Sequence, residues 1–451
     1  MVDNFINVEI SEEFDPQIPR ILSHERIYSI QVGYKLFKLS GASLSSDAPS
    51  YFTRFFLQEG NNDKALFIDR NPLTFEKIFQ HLQGYQINVE NEYEFVYLLS
   101  DCYYFGLKRL QQILKDEDIF ATIGSKSFKI SKSLLVNSGN YPNFFSISYE
   151  SMLTDNSKII EQKNIIRPPP QKPATVNSRS PELFNDLLEL LRGNSLVIKN
   201  DEHRHLLIRE CKYYRFLELE QRIIKYKVIN NPFNDFGNQE IIIRLNDLHI
   251  KGIISDPSIK NMNGKFPIQY QRPFISKEPR RTLIFQLDSS YSEISNRKYS
   301  EVKLILVKKF NIIMVQLTNS MCLKFVSLFR AVADEFLVED LDSDIPSICI
   351  FTDISDCKTV INGLEMKNNW VSEMLQNIAS PSESEELTKD SISTKKRKLC
   401  NEIKGDKIEF IKLTESLWKV YLMGRKLSLQ GVSIEGVTDE KSFRERNFSF
   451  L

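Results

Sequence analysis

Histidine and cysteine are the residues of this chain best suited to metal binding or nucleophilic catalysis, and both are sparse. The chain has five histidines and six cysteines. No two cysteines form a Cys-x-x-Cys pair, and no histidine cluster stands near them at the spacing of a zinc site. His203 and His205 are two positions apart, which places them on different faces of a helix, and we interpret them as surface residues. His81 is assigned to the polar side of its helix.

Motifs that bind nucleotides or activate a nucleophile are absent from the sequence. It contains no Gly-x-x-x-x-Gly-Lys-Ser/Thr, Gly-x-Gly-x-x-Gly or Gly-x-Ser-x-Gly segment. Adjacent carboxylates such as Glu12 and Glu13 are interpreted as solvated charge. We therefore predict a protein that is not an enzyme and that binds no cofactor and no metal. Catalytic groups can converge from distant positions, so an enzyme housed in residues 238–451 stays an alternative.

The overall charge and hydropathy argue against two classes of partner. Lysine plus arginine and aspartate plus glutamate each number 59, so the net charge is zero. A neutral chain has no global attraction for nucleic acid. The most apolar stretch, residues 302–317, is interrupted by Lys308 and Lys309, whereas a spanning helix needs about 20 mostly apolar residues. The sequence predicts no direct nucleic-acid partner and no membrane partner.

The elements that position these side chains form an internal repeat in the first half of the chain. Residues 70–84 resemble residues 179–193 at a constant separation of 109 positions. In both segments four apolar residues follow the i, i+3, i+4, i+7 spacing that places them on one helix face. They are Phe75, Ile78, Phe79 and Leu82 in the first segment and Phe184, Leu187, Leu188 and Leu191 in the second.

The ends of the two predicted helices match as well. Each begins with a side chain that can accept a first-turn N–H, followed by a proline, and each is followed by a glycine suited to positive φ. These residues are Asn71, Pro72 and Gly84 in the first helix and Ser180, Pro181 and Gly193 in the second. The same separation continues into a second helix, where Cys102 faces Cys211. We interpret both cysteines as small buried hydrophobes.

Upstream of these helices the separation between the copies falls to 91, because Gly33–Ser40 faces Gly124–Ser131. We name residues 27–116 copy one and residues 117–228 copy two. The change of separation locates an insertion in copy two that includes residues 165–180. Three adjacent prolines begin at Pro168 and cannot continue a helix, so this segment is predicted to be an exposed loop. A ligand for a proline-recognition domain is the alternative reading.

Three motifs in copy one point to a known family. They are a hairpin with Val32, Gly33 and Phe37, a strand-to-helix junction with Phe67, Ile68, Asp69, Arg70 and Pro72, and a helix end with Tyr104, Phe105 and Gly106. Copy one thereby resembles a BTB/POZ domain of the potassium-channel tetramerisation branch. Tyr34 replaces a second glycine of the family hairpin, and Asn71 replaces an aspartate. Copy two lacks the Phe-Ile-Asp-Arg junction before Pro181, so we interpret it as a divergent BTB/POZ domain.

The resemblance implies a small sheet packed against helical hairpins and a protein that forms homo-oligomers. Many relatives bind a cullin scaffold and present a client protein to a ubiquitin ligase, so a cullin and a client are partners that the resemblance suggests. The alternative is a nuclear scaffold or transcription-linked regulator with no ubiquitin role. The predicted fold class is α+β, with two tandem BTB/POZ domains after a tail at residues 1–26 and before a β-rich C-terminal region.

The second half changes to β-branched runs of strand length, and residues 238–379 are predicted to form a β-rich α+β domain. The predicted strands are 241–245, 282–287, 302–307, 312–317, 347–352 and 418–423, with a hairpin turn at residues 423–425. Two further segments, 322–336 and 370–378, are predicted to be helices. Residues 408–451 are predicted to be C-terminal strands that pack on this domain.

A linker at residues 380–407 is rich in serine and glutamate, and its composition predicts disorder. It contains a basic cluster of Lys395, Lys396, Arg397 and Lys398. This cluster is a candidate nuclear import signal, and a plain solvated charge run is the alternative. The expected localisation is nuclear, cytoplasmic or both.

Overall fold

The computed structural model divides the chain into two compact units, Met1–Glu220 and Gln221–Leu451. It describes residues 18–163, 174–234, 239–256, 258, 264–288, 301–307, 312–333, 338–341, 344–367, 369–372 and 409–439. The basic cluster Lys395–Lys398 and residues 373–378 of the predicted helix 370–378 lie outside these residues, and residues 370–372 are helical as predicted.

Unit 1 alternates short strands with helices in an order that occurs twice. The first series is β1 Ile27–Val32, β2 Lys35–Ser40, α1 Gly41–Ser45, α2 Tyr51–Phe56, β3 Leu66–Ile68, α3 Pro72–Leu82, α4 Glu92–Phe105 and α5 Lys108–Glu117. The second series is β4 Asp118–Ile123, β5 Lys126–Ser131, α6 Lys132–Leu135, α7 Phe144–Lys163, β6 Ala174–Val176, α8 Pro181–Leu191, α9 Asp201–Tyr214 and α10 Leu217–Ile223, which ends in unit 2.

The two sheets of unit 1 have the same topology. In copy one, β1 pairs antiparallel with β2 and parallel with β3, giving the order β2-β1-β3. In copy two, β4 pairs in the same way with β5 and β6, giving the order β5-β4-β6. The prediction of a loop over residues 165–180 is therefore wrong for Ala174–Val176, because these residues supply the third strand of the sheet. Residues 164–173 lie outside the described residues.

The predicted helix ends are confirmed in both copies. The Asn71 side chain accepts a hydrogen bond from the Leu73 N–H, and that of Ser180 accepts one from the Leu183 N–H. Gly84 and Gly193 follow α3 and α8 with φ values of 86° and 98°, a left-handed conformation that costs a side-chain-bearing residue more than glycine.

Aromatic rings fill corresponding places in the two cores of unit 1. The ring centroids of Phe37 and Phe75 are 4.9 Å apart in copy one, and those of Phe128 and Phe184 are 4.9 Å apart in copy two. Cys102 and Cys211 are both fully buried, which confirms their interpretation as core residues. Burial raises the pKa of the Cys102 thiol well above its usual value, so this thiol stays protonated at neutral pH.

Unit 2 is built mainly of strands. They are β7 Tyr226–Asn230, β8 Gln239–Arg244, β9 Ile253–Ile254, β10 Phe266–Pro267, β11 Gln269–Tyr270, β12 Arg281–Asp288, β13 Val302–Val307, β14 Ile312–Thr318, β15 Val338–Asp340, β16 Ser347–Asp353, β17 Lys358–Ile361, β18 Leu364–Glu365, β19 Glu409–Met423 and β20 Lys426–Val437. The described part of this unit also contains the helix α11 Asn319–Phe329, and residues 370–372 are helical.

The long hairpin of β19 and β20 organises the sheet of unit 2. Strand β19 pairs with β12, β13 and β10, and β20 pairs with β16 and β17. Because β13 also pairs with β14 and β14 with β16, the strands β19, β13, β14, β16 and β20 close a ring of pairings. Two register shifts in the hairpin, at Leu413/Glu415 and Leu417/Trp418, are irregularities of the kind that bend long strands.

The predicted strands of the second half are confirmed, and so is the hairpin turn at Gly424, whose φ is 64°. The helix predicted over residues 322–336 begins three residues earlier, at Asn319, and ends at Phe329. Among the described residues, no helix has the length and apolar character needed to cross a membrane.

Candidate interaction surface

The motif residues of copy one divide into a buried set and an outward set. Val32, Phe37, Ile68, Pro72 and Phe105 are buried and hold the sheet to the helices. Gly33 and Gly106 have positive φ values of 55° and 71°; Gly33 lies in the hairpin turn, and Gly106 ends α4. By contrast, Phe67 and Asp69 are exposed. The motif is therefore mainly structural, and Phe67 is its large apolar side chain that faces solvent.

Arg70 links the strand-to-helix junction to α4. Its Nη1 lies 3.0 Å from Oδ1 of Asp101, and its guanidinium carbon lies 4.3 Å from the ring centroid of Tyr104. Burial raises the pKa of Asp101 to about 6, against the opposing effect of the Arg70 charge. A single arginine thus forms an ion pair and a cation–π contact with one helix, which fixes the direction of α3 relative to α4.

Copy two repeats this arrangement, although it lacks the Phe-Ile-Asp-Arg sequence. Nη1 of Arg179 lies 3.0 Å from Oε1 of Glu210, and its guanidinium carbon lies 4.0 Å from the ring centroid of Tyr213. Copy two thus lacks the Phe-Ile-Asp-Arg sequence but keeps its arginine, at the position that the alignment of residues 179–193 with residues 70–84 predicts.

The junction of copy two contains one residue more than that of copy one. The Gly33 N–H donates to the Ile68 carbonyl, and the Gly124 N–H donates to that of Val176. Val176 is thus the counterpart of Ile68 at a separation of 108, whereas Arg179 follows Arg70 at 109. The isolated arginine before Ser-Pro was the signal available in the sequence.

His81 is buried, so its assignment to the polar side of α3 is wrong. Its Nε2 lies 3.0 Å from Oδ2 of Asp47, and the two Asp47 oxygens also accept the N–H groups of Arg109 and Leu110 at the start of α5. Burial raises the pKa of Asp47, but the hydrogen bonds from His81 and the two N–H groups outweigh it, so the net pKa is lowered.

Copy two has an uncharged residue, Asn140, at the position of Asp47. Asn140 Oδ1 accepts the Leu219 N–H at 3.0 Å, as Asp47 accepts the N–H of Leu110. The position that corresponds to His81 holds Leu190, which is buried. Aspartate and histidine have therefore been exchanged together for asparagine and leucine.

The outer face of the copy-one sheet carries large exposed apolar side chains. Leu36 and Phe67 are 52% and 62% exposed, and both are register partners of Gln31 in the central strand. Tyr34 in the hairpin turn is 81% exposed. Leu73, in the first turn of α3, is exposed too. A group of apolar side chains on one face is characteristic of a protein–protein contact surface.

The corresponding positions of copy two are polar. Ser125, Ser127, Thr175 and Glu182 occupy the places of Tyr34, Leu36, Phe67 and Leu73, respectively. The apolar surface is therefore a property of copy one and does not follow from the shared fold.

The remaining histidines and cysteines are the residues to consider as metal ligands or nucleophiles. His203 is half-buried, with Nε2 3.1 Å from Oδ2 of Asp186. Five cysteines are free thiols, and Cys400 lies outside the described residues. Within the part of the chain that the structure describes, no three His, Cys, Asp or Glu side chains form a group able to hold a metal ion.

Comparison with known families identifies the first copy. Residues 28–114 match the model of the BTB/POZ domain, and residues 265–447 match that of the YLR108C C-terminal domain. The first copy is thus a BTB/POZ domain, a module for protein–protein interaction and oligomerisation, and the predicted resemblance is confirmed. The match covers one copy and does not extend to the second.

Two Saccharomyces cerevisiae proteins are similar to parts of the chain. "Uncharacterized protein YDR132C" is 38% identical over 373 residues, which are 70% of this chain and 72% of that protein. "BTB/POZ domain-containing protein YLR108C" is 39% identical over 242 residues, 52% of this chain and 48% of that protein. The chain thus matches about half the length of YLR108C. The chain belongs to the family of YDR132C.

Proposed function

We propose that the protein is a non-enzymatic interaction protein that self-associates through its BTB/POZ domain. The exposed apolar face with Tyr34, Leu36 and Phe67 carries this proposal. Side chains of this size gain free energy when they leave water, about 25 cal/mol per Å² of apolar surface. The matched family supports the same class of function.

The mass of the full chain in solution tests the proposal. Light scattering coupled to size-exclusion chromatography at micromolar concentration should give a mass of two or more chains. Changing Leu36 to Ser and Phe67 to Thr, the residue types of copy two, should lower that mass. A wild-type protein that stays monomeric over this concentration range would refute self-association.

We also propose that copy two is a second, divergent BTB/POZ fold. The common strand order, the paired Arg179 and Glu210 and the capping Asn140 support it, since each has a counterpart in copy one. An experimental structure of the chain in which copy two superposed poorly on copy one would contradict this proposal.

A narrower form of the function is a substrate adaptor that joins a client to a cullin-based ubiquitin ligase. Its support is the BTB/POZ domain alone. The test is co-elution of the full chain with purified cullins, with the Leu36→Ser/Phe67→Thr variant as a control for surface specificity. If no cullin co-elutes, self-association is unaffected and the adaptor role is rejected.

The second candidate is a nuclear scaffold that uses Lys395–Lys398 for import, which is also our proposal for localisation. The observation that favours it is the basic cluster in the sequence. Changing these four residues to alanine should move a fluorescent fusion out of the nucleus. Unchanged distribution of the fusion would remove the support for this candidate.

A further inference from the structure

The two copies of unit 1 meet through a specific pair of surfaces. The receiving surface is the outer sheet face of copy two, which consists of Asp118, Phe120, Thr122, Ser127, Lys129 and Thr175. The contributing surface, here named the α4 edge, runs from Ile87 to Phe95 in copy one. The rings of Phe95 and Phe120 have centroids 5.2 Å apart and form the apolar centre of the contact.

Polar contacts surround this aromatic pair. The Thr122 hydroxyl donates to Oε2 of Glu92 at 2.8 Å. Lys129 Nζ donates to Oδ1 of Asn88 at 2.9 Å and to the carbonyl of Val89 at 2.8 Å. The segment of copy one that leads into α4 therefore covers the central strand of this sheet face, β4, around Phe120. Ser127 and Thr175 on the flanking strands remain exposed.

Each copy also carries the surface that the other one uses. The outer sheet face of copy one consists of Ile27, Ser29, Gln31, Leu36, Lys38 and Phe67, in the same register as its counterpart. The counterpart of the α4 edge is the α9 edge, which runs from Leu196 to Arg204 and leads into α9. Asn91 and Asn200 cap these two helices in the same way.

The burial of these surfaces differs in a consistent direction. Ile87 of the α4 edge is 9% exposed, whereas its counterpart Leu196 of the α9 edge is 91% exposed. In the central strand, Asp118, Phe120 and Thr122 of copy two are each less exposed than their counterparts Ile27, Ser29 and Gln31 of copy one. On the flanking strands, Ser127 and Thr175 are exposed, as Leu36 and Phe67 are. One surface of each kind is thus used within the chain, and one of each kind faces solvent.

We propose that these two remaining surfaces bind each other between chains, so that the α9 edge of one chain docks on the copy-one sheet face of a second chain. This inference rests on the proposed self-association and specifies its surfaces. Such a contact is heterologous, because the two surfaces differ, and it produces closed rings or open chains.

At the centre of the proposed contact, Arg204 and Ser29 take the places of Phe95 and Phe120. The residues around this centre suit the contact. Lys38 takes the place of Lys129 and faces a backbone carbonyl at Ile198, the counterpart of Val89. Asp201 takes the place of Glu92 and faces the Gln31 amide, a donor in place of the Thr122 hydroxyl. Leu36 and Phe67 supply apolar surface where copy two has serine and threonine, and Leu196 supplies apolar surface on the opposing edge.

A complementation experiment on the full chain tests this pairing. The sheet variant carries Leu36→Ser and Phe67→Thr, and the edge variant carries Leu196→Asp and Ile198→Asn. Each variant alone should have the mass of one chain, because one of its two surfaces is disabled. Their equimolar mixture should contain a species of two chains, because an intact edge meets an intact sheet face.

A control variant with Leu57→Ser and Ile147→Ser replaces two exposed apolar residues outside both surfaces and should keep the wild-type mass. Circular dichroism of each variant checks its folding. If a variant loses helical signal, its mass measurement is replaced by a cross-linking experiment. Chains with Ser29→Cys and chains with Arg204→Cys are mixed under mild oxidation. A disulfide-linked dimer should form between the two kinds of chain.

The outcomes separate the inference from the proposed function. A monomeric wild type refutes both. A wild-type oligomer whose mass is unchanged in both variants leaves self-association standing and overturns the surfaces. The head-to-tail pairing is overturned if the edge variant still assembles while the sheet variant does not. It is also overturned if the mixture remains monomeric. Absence of the mixed disulfide overturns it as well.

Discussion

The buried pair of Asp47 and His81 allows a quantitative test, because copy two contains a natural replacement for it. Changing Asp47 to Asn and His81 to Leu together would reproduce the Asn140–Leu190 pair. In the single variant His81→Leu, the Asp47 carboxylate keeps the N–H groups of Arg109 and Leu110 but loses its imidazole partner. A buried polar group left with an unmet hydrogen bond costs about 1–3 kcal/mol.

We therefore expect His81→Leu to lower the free energy of unfolding by about 2–3 kcal/mol. Asp47→Asn should cost about 1–2 kcal/mol, because the amide oxygen can still accept an N–H but the charge-assisted bond is lost. The double variant should be within about 1 kcal/mol of the wild type, which corresponds to a coupling energy of at least about 2 kcal/mol between residues in direct contact.

Urea unfolding measures these values with an internal control. Nearly all described helices belong to unit 1, so helical circular dichroism reports mainly on that unit. Both tryptophans, Trp370 and Trp418, belong to unit 2, so tryptophan fluorescence should show an unchanged transition in all variants. A double variant that loses the sum of the two single effects would refute the idea that the residues act as a pair.

Three further predictions concern unit 1 and the thiols. Arg70→Lys should lower the free energy of unfolding by about 1–2 kcal/mol in urea, because lysine lacks the planar group that contacts Tyr104 and Asp101 together; an unchanged midpoint would contradict this. Asp101 keeps its proton up to about pH 6 in the folded chain but releases it near pH 3.8 in the unfolded chain. The stabilisation that the folded state gains from the protonated Asp101 is therefore fully present below about pH 4 and is lost as the pH rises through 6. The stability of Asp101→Asn relative to wild type should therefore rise by up to about 3 kcal/mol between pH 4 and pH 7, and a constant difference would argue against the raised pKa. Burial raises the pKa of the Cys102 thiol well above its usual value and that of Cys357 to about 11, so a thiol reagent at neutral pH should label neither until urea unfolds the chain, and rapid labelling in buffer would show that they are accessible.

The sequence alone was sufficient for features that depend on neighbours along the chain. The capping residues Asn71 and Ser180, the prolines that follow them and the glycines at the far ends predicted α3 and α8, because helix termini are determined by local hydrogen bonding and backbone conformation. The spacing of Cys102 and Cys211 on apolar helix faces predicted their burial for the same reason. The β-branched runs predicted the strands of unit 2.

Features that join distant positions required the tertiary structure. Strand β6 has three residues next to a proline-rich segment, and only its pairing with β4 identifies it. The sequence aligns Arg179 with Arg70, but only the tertiary structure shows its contacts with Glu210 and Tyr213. His81 occupies a nominally polar helix position, and the approach of Asp47 from 34 residues away makes it a buried one.

The repeat, and with it the family of copy one, was therefore determined by the sequence, whereas the unequal surfaces of the two copies were decided by tertiary packing. Similar sheets in the two copies follow from similar local sequence. The sheet face of copy two is covered because the α4 edge contacts it, and this contact depends on how copy one and copy two pack together. Burial is a property of the assembled chain, because it depends on neighbours that are distant in sequence.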